Sequence, residues 1–475
     1  NNANIKGEEI GGIIAHIGEG YLQSVLIEDC ENNGKISGNG SGSEDSNLAG
    51  IANLYDDCSI EEIRITKCKN NGELTATAGT VAGILLTSSG SEENIIDSCE
   101  NNGAIFVTGD LSAIAGIVCA TDDNMIVSNC INNGAIEAKE IKEIDSVAGI
   151  LIGHVAEISN CMNNGAIQVE EIEKDEEVMF ADRIYVSGIV AGGSEEKINE
   201  CTNNGTITVK NSFGAVAGIL AASNAQNISI SKCNNYKDII YESRVIESQY
   251  TVYKEEFIGG CVASYSEGID IVMNECNNYG KLDIKTKNDA FIGGVASIDS
   301  YYSMSMILEE CNNEGEIEVD SFKNSIVCGI AYGDNYNHYE QKNQCSIVNC
   351  NNIKDINVTL HSADITESKI YGIGMYGKNS TNTGNLKNDI GENILVTDFG
   401  SNAEIHICGI GANGEKCTNT GNITAKIRTC LWNRRRCSRL CKYRKCYCRK
   451  WNYILESKIN KRELLQVVPF YLSCS

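Results

Sequence analysis

Cysteine and histidine are the residues of this sequence that could carry catalytic or metal chemistry. The chain has 475 residues, of which 23 are cysteine and five are histidine, namely His16, His154, His338, His361 and His406. A zinc protease would need a His-Glu-x-x-His motif, and none of the five histidines stands in one. The sequence also lacks the Gly-x-Ser-x-Gly motif of serine hydrolases and a phosphate-binding loop. We therefore predict no catalytic residue, no metal site and no cofactor.

Tyrosine points to a different kind of chemistry, the binding of sugars or proteins. Eleven of the 20 tyrosines lie between residues 236 and 339. An exposed tyrosine presents an apolar ring and a hydroxyl group to a ligand. The alternative interpretation is that these rings only cover the protein surface. The candidate binding residues are Tyr241, Tyr250, Tyr253, Tyr301, Tyr302, Tyr332, Tyr336 and Tyr339.

A short repeated phrase of Cys, Asn, Gly and an aliphatic residue must position these side chains. Its clearest copies begin at Cys99, Cys130 and Cys161, which stand 31 residues apart. A small residue, Gly and an aliphatic residue precede each copy, as in Ala115-Gly116-Ile117, and an apolar pair leads into the cysteine. Each unit thus holds three short β-like runs separated by turn residues. The twelve copies begin at Cys30, Cys68, Cys99, Cys130, Cys161, Cys201, Cys233, Cys276, Cys311, Cys350, Ser380 and Cys417.

Repetition at this period indicates a solenoid. One unit is too small to bury its apolar side alone, whereas stacking pairs every strand with its equivalent in the next unit. The predicted fold is all-β, a parallel β-solenoid in the form of a right-handed β-helix, with about three short strands per turn and about twelve repeats. It covers residues 1–427, which begin within a repeat phrase, so we interpret the sequence as a fragment at its N-terminus.

The repeated cysteines and asparagines are expected to form ladders along the solenoid. Stacked cysteines should point inward as small hydrophobic residues. Disulfides between them are possible by distance but strained in geometry, so reduced thiols are favoured. Asn102, Asn133 and Asn164 should stack through their amides, and the glycine that follows each should occupy a corner of positive φ. The ladder cysteines are Cys30, Cys68, Cys99, Cys130, Cys161, Cys201, Cys233, Cys276, Cys311, Cys350 and Cys417.

The full unit, small-Gly-Ile and then Ile-x-x-Cys-x-Asn-Asn-Gly-x-Ile, resembles the GLUG-type repeat of bacterial cell-surface and secreted proteins. The resemblance covers roughly residues 10–425. One departure is the cysteine, because that family more often has serine or another small residue there. The resemblance implies an adhesin-like protein, or a non-catalytic part of a bacterial immunoglobulin A metallopeptidase.

Net charge limits the partners of the solenoid. The chain has 39 Lys and Arg against 64 Asp and Glu, and residues 1–427 alone carry a formal charge of −36. This charge argues against nucleic acid and anionic membranes as partners. The sequence contains no apolar run of 18 residues that would predict a transmembrane helix. Acidic clusters such as residues 170–177 could bind Ca²⁺ weakly, but a solvated loop is the favoured interpretation.

These features together predict a non-enzymatic extracellular or cell-surface protein. It would be an adhesin-like stalk or scaffold that contacts a glycan or a host or cell-surface protein, with its signal peptide and anchor outside this fragment. Two alternatives remain open. One is a carbohydrate-active β-helix enzyme, a lyase or hydrolase that uses carboxylates on an outer face. The other is the non-catalytic repeat region of a larger secreted peptidase.

The composition changes abruptly at residues 428–475. This basic, Cys-rich tail contains 13 Lys and Arg, only two acidic residues, both tryptophans and the only proline. Read one base later, Trp432 must become Gly, and residues 441–447 can become Val-Asn-Thr-Gly-Asn-Val-Thr, which is nearly the phrase that begins at Cys417. We therefore interpret the tail as the product of a frameshift between about Thr424 and Cys430, and not as a domain or a nucleic-acid-binding arm.

Resequencing the gene across codons 420–435 tests this interpretation. We expect a single-base correction that restores the repeat phrase after residue 427. Confirmation of the present frame would make residues 428–475 a genuine basic end of a truncated solenoid and would contradict this interpretation. Mass spectrometry of the native protein is the complementary measurement. Tail peptides in the present frame would rule out a sequencing error.

Overall fold

The computed structural model of the chain describes residues 1–427 apart from 16–19, 39–45, 55–57, 88–92, 121–124, 154–155, 173–182, 193–196, 223–226, 246–254, 336–343, 362–364, 366, 375, 379, 391–403, 411–412 and 416. The regular structure of the described residues consists of strands, and no helix occurs among them. The tail at 428–475 lies outside the described residues, so the frameshift interpretation stays a prediction.

Three parallel sheets run along the molecule, and successive turns of the chain pass through all three. We name them face A, face B and face C, with 23, 20 and 12 strands. Each strand pairs in parallel with its equivalent one turn along, as Ile131–Asn132 pairs with Met162–Asn163. This is the predicted parallel β-solenoid, consistent with a right-handed β-helix. The twelve strands of face C match the twelve phrases, whereas faces A and B have two strand segments in most turns.

The strands of each face are as follows. Face A consists of Ile5–Gly7, Glu9–Gly11, Ile36–Gly38, Asn47–Ala49, Leu74–Ala82, Ile105–Ala115, Ile136–Glu143, Ser146–Ala148, Ile167–Glu171, Ile184–Ser187, Ile207–Ser212, Gly214–Ala217, Ile239–Ser243, Glu255–Gly259, Leu282–Thr286, Asp289–Gly293, Ile317–Ser321, Ser325–Cys328, Ile356–Leu360, Glu367–Tyr371, Leu386–Ile390, Glu404–Cys408 and Ile423–Ile427. Face B consists of Ile14–Ala15, Gly20–Glu28, Ala52–Leu54, Cys58–Thr66, Leu85–Thr87, Glu93–Asp97, Val118–Ala120, Met125–Ser128, Leu151–Ile152, Glu157–Ser159, Val190–Ala191, Lys197–Asn199, Leu220–Ala222, Ile228–Ser231, Val262–Asn274, Ala296–Glu309, Ala331–Asn335, Gln344–Val348, Tyr376–Lys378 and Asn413–Glu415. Face C consists of Glu31–Asn32, Lys69–Asn70, Glu100–Asn101, Ile131–Asn132, Met162–Asn163, Thr202–Asn203, Asn234–Asn235, Asn277–Asn278, Asn312–Asn313, Asn351–Asn352, Thr381–Asn382 and Thr418–Asn419.

The hydrophobic interior is divided into two main clusters. One lies behind face B and includes Ile63 and the buried repeat cysteines, and the other lies behind face A and includes Ile136. Between the clusters, face C contacts the corner where face A meets face B. A Cβ atom on Gly149 at this corner would lie only 2.1 Å from the Gly188 carbonyl oxygen of the next turn and 2.4 Å from Cγ of Asn163. The glycine of the small-Gly-aliphatic phrase is therefore required both by the backbone of the next turn and by its contact with an asparagine of face C.

A continuous column of buried asparagines, the inner amide ladder, forms this contact. The Asn101 Nδ2 group donates to Asn132 Oδ1 at 2.8 Å and to the Gly103 carbonyl at 3.1 Å, and Asn101 Oδ1 accepts from Asn70 Nδ2 at 2.8 Å. Both amide hydrogens are thus used, and a buried polar group that is satisfied in this way avoids a large desolvation cost. The inner amide ladder consists of Asn32, Asn70, Asn101, Asn132, Asn163, Asn203, Asn235, Asn278, Asn313, Asn352, Asn382 and Asn419.

The asparagines predicted to stack lie one residue further on and form an outer ladder on the exposed side of face C. Asn133 Nδ2 donates to Asn102 Oδ1, and Asn164 Nδ2 to Asn133 Oδ1, both at 2.8 Å. These amides donate to the preceding turn, whereas the inner amide ladder donates to the following turn. The two columns of amide dipoles therefore run in opposite directions. The N-terminal outer ladder consists of Asn33, Asn71, Asn102, Asn133, Asn164 and Asn204.

The repeat cysteines line the cluster behind face B. Nine of them, from Cys68 to Cys350, are buried free thiols, and Cys30 and Cys417 at the two ends are partly exposed. Cys130 Sγ donates to the Ser128 carbonyl at 3.1 Å. Burial raises the pKa of the Cys130 and Cys161 thiols well above the usual value. Cys130 and Cys161 are therefore protonated at neutral pH and act as small apolar side chains.

The prediction of a positive φ at the glycine of the phrase is wrong. Gly134 is not among the glycines of positive φ; instead, a Cβ atom there would lie 2.0 Å from the Gly103 carbonyl oxygen of the preceding turn. The left-handed residue is the one before the cysteine, as at Asn129 and Asn160, both with φ 54°. The sharp corner therefore lies between faces B and C. The glycine recurs in ten of the twelve phrases, where adjacent backbones pack closely, and Lys237 and Lys354 take its place in the other two.

Adjacent asparagines of one phrase provide a matched test of the inner amide ladder. We expect Asn132→Ala to lower the free energy of unfolding by about 2–4 kcal/mol, because it leaves buried amide groups of two neighbouring turns unsatisfied. Asn133→Ala removes the same side chain from the exposed ladder and should change stability by about 0.5 kcal/mol or less. Urea unfolding of both variants is the measurement, and equal losses would contradict the separate roles of the two ladders.

Candidate functional site

The described members of the predicted tyrosine site are buried, so that part of the prediction is wrong. The Tyr241 side chain is 1% exposed, lies in the cluster behind face A, and donates to the Ser212 carbonyl at 3.1 Å. Tyr332 is 2% exposed and stacks on Phe291 with ring centroids 4.5 Å apart. Successive residues of a strand point to opposite sides of the sheet. Tyr241 points into the interior behind face A, and Tyr332 points into a separate buried cluster in the angle between faces A and B.

The side chains of the other six predicted tyrosines lie outside the described part of the structure. Tyr301 and Tyr302 belong to the face B strand Ala296–Glu309, of which only the backbone is described at these positions. Tyr250, Tyr253, Tyr336 and Tyr339 lie outside the described residues. Their proposed role in binding stays a prediction.

A shallow cleft on the outer side of face C brings together a different set of residues. We name it the face-C cleft. It has a volume of about 660 Å³ and extends over four successive turns. Its walls are polar and aromatic. The lining residues are Lys232, Asn234, Tyr236, Glu275, Asn277, Tyr279, Glu310, Asn312, Asn349 and Asn351.

A second outer column of asparagines, the cleft ladder, forms the floor of this cleft. It consists of Asn234, Asn277, Asn312 and Asn351, and each amide donates to the preceding one at 2.8 to 3.0 Å. These residues precede the inner amide ladder in sequence, whereas the N-terminal outer ladder follows it. The outer ladder therefore changes column between Asn204 and Asn234.

After the change of column, the position that follows the inner amide ladder no longer has to carry an asparagine. Two tyrosines occupy this position in consecutive turns. Tyr236 and Tyr279 stack face to face with centroids 4.7 Å apart and an angle of 6° between the rings. Their side chains are 46% and 37% exposed. We name them the tyrosine pair. Exposed stacked rings of this kind are an adhesive surface for a ligand with apolar faces.

Charged residues at the corner between faces B and C complete the cleft. Glu275 and Glu310 are exposed residues on neighbouring turns, each immediately before a buried cysteine. Lys232 is the cation of the lining, and its Nζ lies 3.3 Å from Glu200 Oε1 of the preceding turn. The lining thus presents two carboxylates and an already paired ammonium group.

Sequence reasoning missed the tyrosine pair because it considered tyrosines by local density along the chain. The informative signal was alignment by phrase. Tyr236 and Tyr279 stand at the position where Asn102 and Asn133 stand in earlier copies. Residues at one phrase position stack in one column of a solenoid, so the substitution of Asn by Tyr in two consecutive copies marks an aromatic patch.

A second cluster of polar residues, within the solenoid, has a structural role. The Glu256 carboxyl is fully buried; Asn288 Nδ2 donates to its Oε1 at 2.7 Å, and Thr286 Oγ1 lies 2.7 Å from its Oε2. Burial raises the pKa of Glu256 to about 7. Nearby, Arg244 forms a buried ion pair with Glu171 at 3.5 Å. Because Glu256 has no exposed surface, it cannot reach a substrate.

The raised pKa of Glu256 predicts a specific dependence of stability on pH. The unfolded chain loses this proton near pH 4.5 and the folded chain near pH 7, so the contribution of Glu256 is most favourable below pH 4.5 and is lost as the pH rises to 7. The loss corresponds to about 3 kcal/mol. We expect Glu256→Gln to remove it, as measured by urea unfolding at pH 5 and pH 8.

The control for this measurement is Glu242→Gln on the neighbouring strand. The Lys285 ammonium lies 2.7 Å from the Glu242 carboxylate and lowers its pKa, so this variant should lose stability mainly above pH 4.5 and by a small amount. If Glu256→Gln and the unmodified protein lose stability in parallel between pH 5 and pH 8, the proposed titration of Glu256 is wrong.

Among the described residues, no group of three His, Cys, Asp or Glu side chains is arranged to hold a metal ion. A membrane-spanning helix is likewise not found among them. Of the acidic stretch 170–177, only Glu170 and Glu171 lie within the described strand, and Glu171 is paired with Arg244.

Comparison with known proteins gives no relative from which a function could be transferred. No protein-family model, curated protein or solved structure matches the chain.

Proposed function

We propose that this protein is a non-enzymatic extracellular or cell-surface repeat protein that binds a glycan in the face-C cleft. The observation that carries the proposal is the tyrosine pair, which lies exposed above a floor of hydrogen-bonding amides. Sugars have apolar ring faces and polar hydroxyl edges, so a site for them combines aromatic rings with hydrogen-bonding side chains. The face-C cleft has both in one place.

Three further features support the extracellular role. The acidic solenoid body keeps a long rod soluble and repels nucleic acid. The phrase resembles GLUG-type repeats, which implies an adhesin-like protein. A solenoid of stacked turns also displays one surface over a long distance, which suits a stalk or a binding scaffold.

The test of the proposal is glycan binding by a double variant of the tyrosine pair. We expect Tyr236→Ser with Tyr279→Ser to weaken binding to the glycans recognised by the unmodified protein at least about tenfold, because the stacking surface is lost. A glycan array identifies the ligands, and isothermal titration calorimetry measures the affinity. Both side chains are exposed, so the melting temperature should change little.

The matched control is Tyr21→Ser on face B, where the tyrosine is 63% exposed and far from the face-C cleft in the chain. This variant should bind as the unmodified protein does. Equal binding by the double variant and the control would contradict a role for the tyrosine pair.

The same experiment separates a binding protein from a carbohydrate-active enzyme. Glu275 and Glu310 lie on neighbouring turns of the face-C cleft, and neighbouring strands are about 4.8 Å apart, which favours an enzyme as the second candidate because two carboxylates cleave glycosidic bonds in many hydrolases. New reducing ends, produced by the unmodified protein and lost in Glu275→Gln, would establish that alternative.

A further inference from the structure

The hydrogen-bonding capacity of the face-C cleft indicates which glycans it selects. Asn277 uses both of its amide hydrogens: Nδ2 donates to Asn234 Oδ1 at 3.0 Å and to the Glu275 carbonyl at 3.2 Å. Asn312 does the same, with bonds of 2.9 Å to Asn277 Oδ1 and 3.3 Å to the Glu310 carbonyl. The donors of Asn277 and Asn312, the two central members of the cleft ladder, are therefore occupied within the protein.

The acceptors of the cleft ladder remain available. An amide oxygen has two lone pairs, and Asn277 Oδ1 accepts one bond, from Asn312. The exposed carboxylates of Glu275 and Glu310 add acceptors at the edge of the same floor. Lys232 is held by Glu200 at 3.3 Å. The face-C cleft is thus rich in acceptors and carries two exposed carboxylates, so a ligand that brings donors and positive charge complements it.

We propose that the face-C cleft selects glycans made of amino sugars whose amino groups are at least partly free, such as polymers of glucosamine. This inference rests on the proposed function and adds to it the chemical class of the ligand. An ammonium group supplies three donors and a positive charge. It can bind Glu275 or Glu310 through a charge-assisted hydrogen bond while an adjacent sugar ring stacks on Tyr279.

The spacing of the cleft favours a sugar chain over a basic peptide. Neighbouring turns of face C repeat about every 4.8 Å, and one unit of a β-1,4-linked sugar chain is close to one such repeat in length. Amino groups on one edge of the chain come from alternate units, so they return about every two turns. An extended peptide presents side chains on one side only about every 7 Å. A run of lysines would therefore fall out of register with the carboxylates.

Charge also excludes one large class of glycans. Polymers of uronic or sialic acids bring carboxylates toward Glu275 and Glu310, and like charges in one shallow site repel each other. Neutral glucans avoid this repulsion but offer only hydroxyl donors. The expected order of affinity is therefore amino sugar, then N-acetylated amino sugar, then neutral glucan, with no binding of anionic polymers.

The test measures the affinities of the full chain for hexamers of glucosamine, N-acetylglucosamine, glucose in β-1,4 linkage and galacturonate, with hexalysine as a cation without sugar rings. We expect the glucosamine hexamer to bind about tenfold more tightly than the neutral glucan, and the galacturonate hexamer not to bind. The double variant Glu275→Gln with Glu310→Gln should remove that tenfold preference for the glucosamine hexamer over the neutral glucan.

The control is Glu31→Gln with Glu100→Gln, which changes the net charge equally on the same face but outside the cleft. It should retain the preference. The selectivity inference is overturned, while glycan binding stands, if the neutral or anionic hexamer binds as tightly as the glucosamine hexamer. It is also overturned if hexalysine binds as tightly, or if glucosamine binding survives Tyr236→Ser with Tyr279→Ser, because bulk charge would then account for it. Failure of every glycan to bind would overturn the proposed function itself.

Discussion

The contact between the inner amide ladder and the glycines of the corner between faces A and B holds this solenoid together. Each amide fills the space that a Cβ atom would need, as at Gly149 and Asn163, and also hydrogen-bonds to the amides of the two adjacent turns. The contact divides the interior into two apolar clusters. Every turn repeats this contact. The glycine of the small-Gly-aliphatic phrase and the inner asparagine of the cysteine phrase therefore recur together because they contact each other.

The direction of the hydrogen bonds in the ladders determines which hydrogen-bonding groups the floor of the cleft offers to a ligand. The inner amide ladder donates toward the C-terminus, and the outer ladders donate toward the N-terminus, so their dipoles oppose each other and the long column of aligned amides is partly compensated. Asn277 and Asn312 use their donors within the protein and so offer a ligand their amide oxygens. The binding preference inferred for the face-C cleft follows from the same bonds that order its floor.

The sequence was sufficient to predict the parallel solenoid, the three-faced unit and the asparagine stacking, because each depends on a pattern repeated in every copy. It was not sufficient for features that depend on contacts across the interior. The need for glycine at Gly134 was predicted, but from a positive φ, whereas the cause is the Gly103 carbonyl of the adjacent turn. The high density of tyrosines along the chain led to the prediction that Tyr241 and Tyr332 are exposed. That prediction is wrong because density along the chain carries no information about which side of a strand a residue occupies.

The face-C cleft arises where the repeat departs from its own rule. In the turns up to Asn204 the exposed column after the inner amide ladder is asparagine, and the column before it varies. From Asn234 to Asn351 the asparagines stand in the column before, so the ordering of these turns no longer depends on the column after. That column could then accept Tyr236 and Tyr279 without loss of the ladder. In a repeat protein, a shift of the stacked asparagines from one phrase position to another can thus free a surface position for ligand-binding residues. The backbone pairing of face C is retained through this shift.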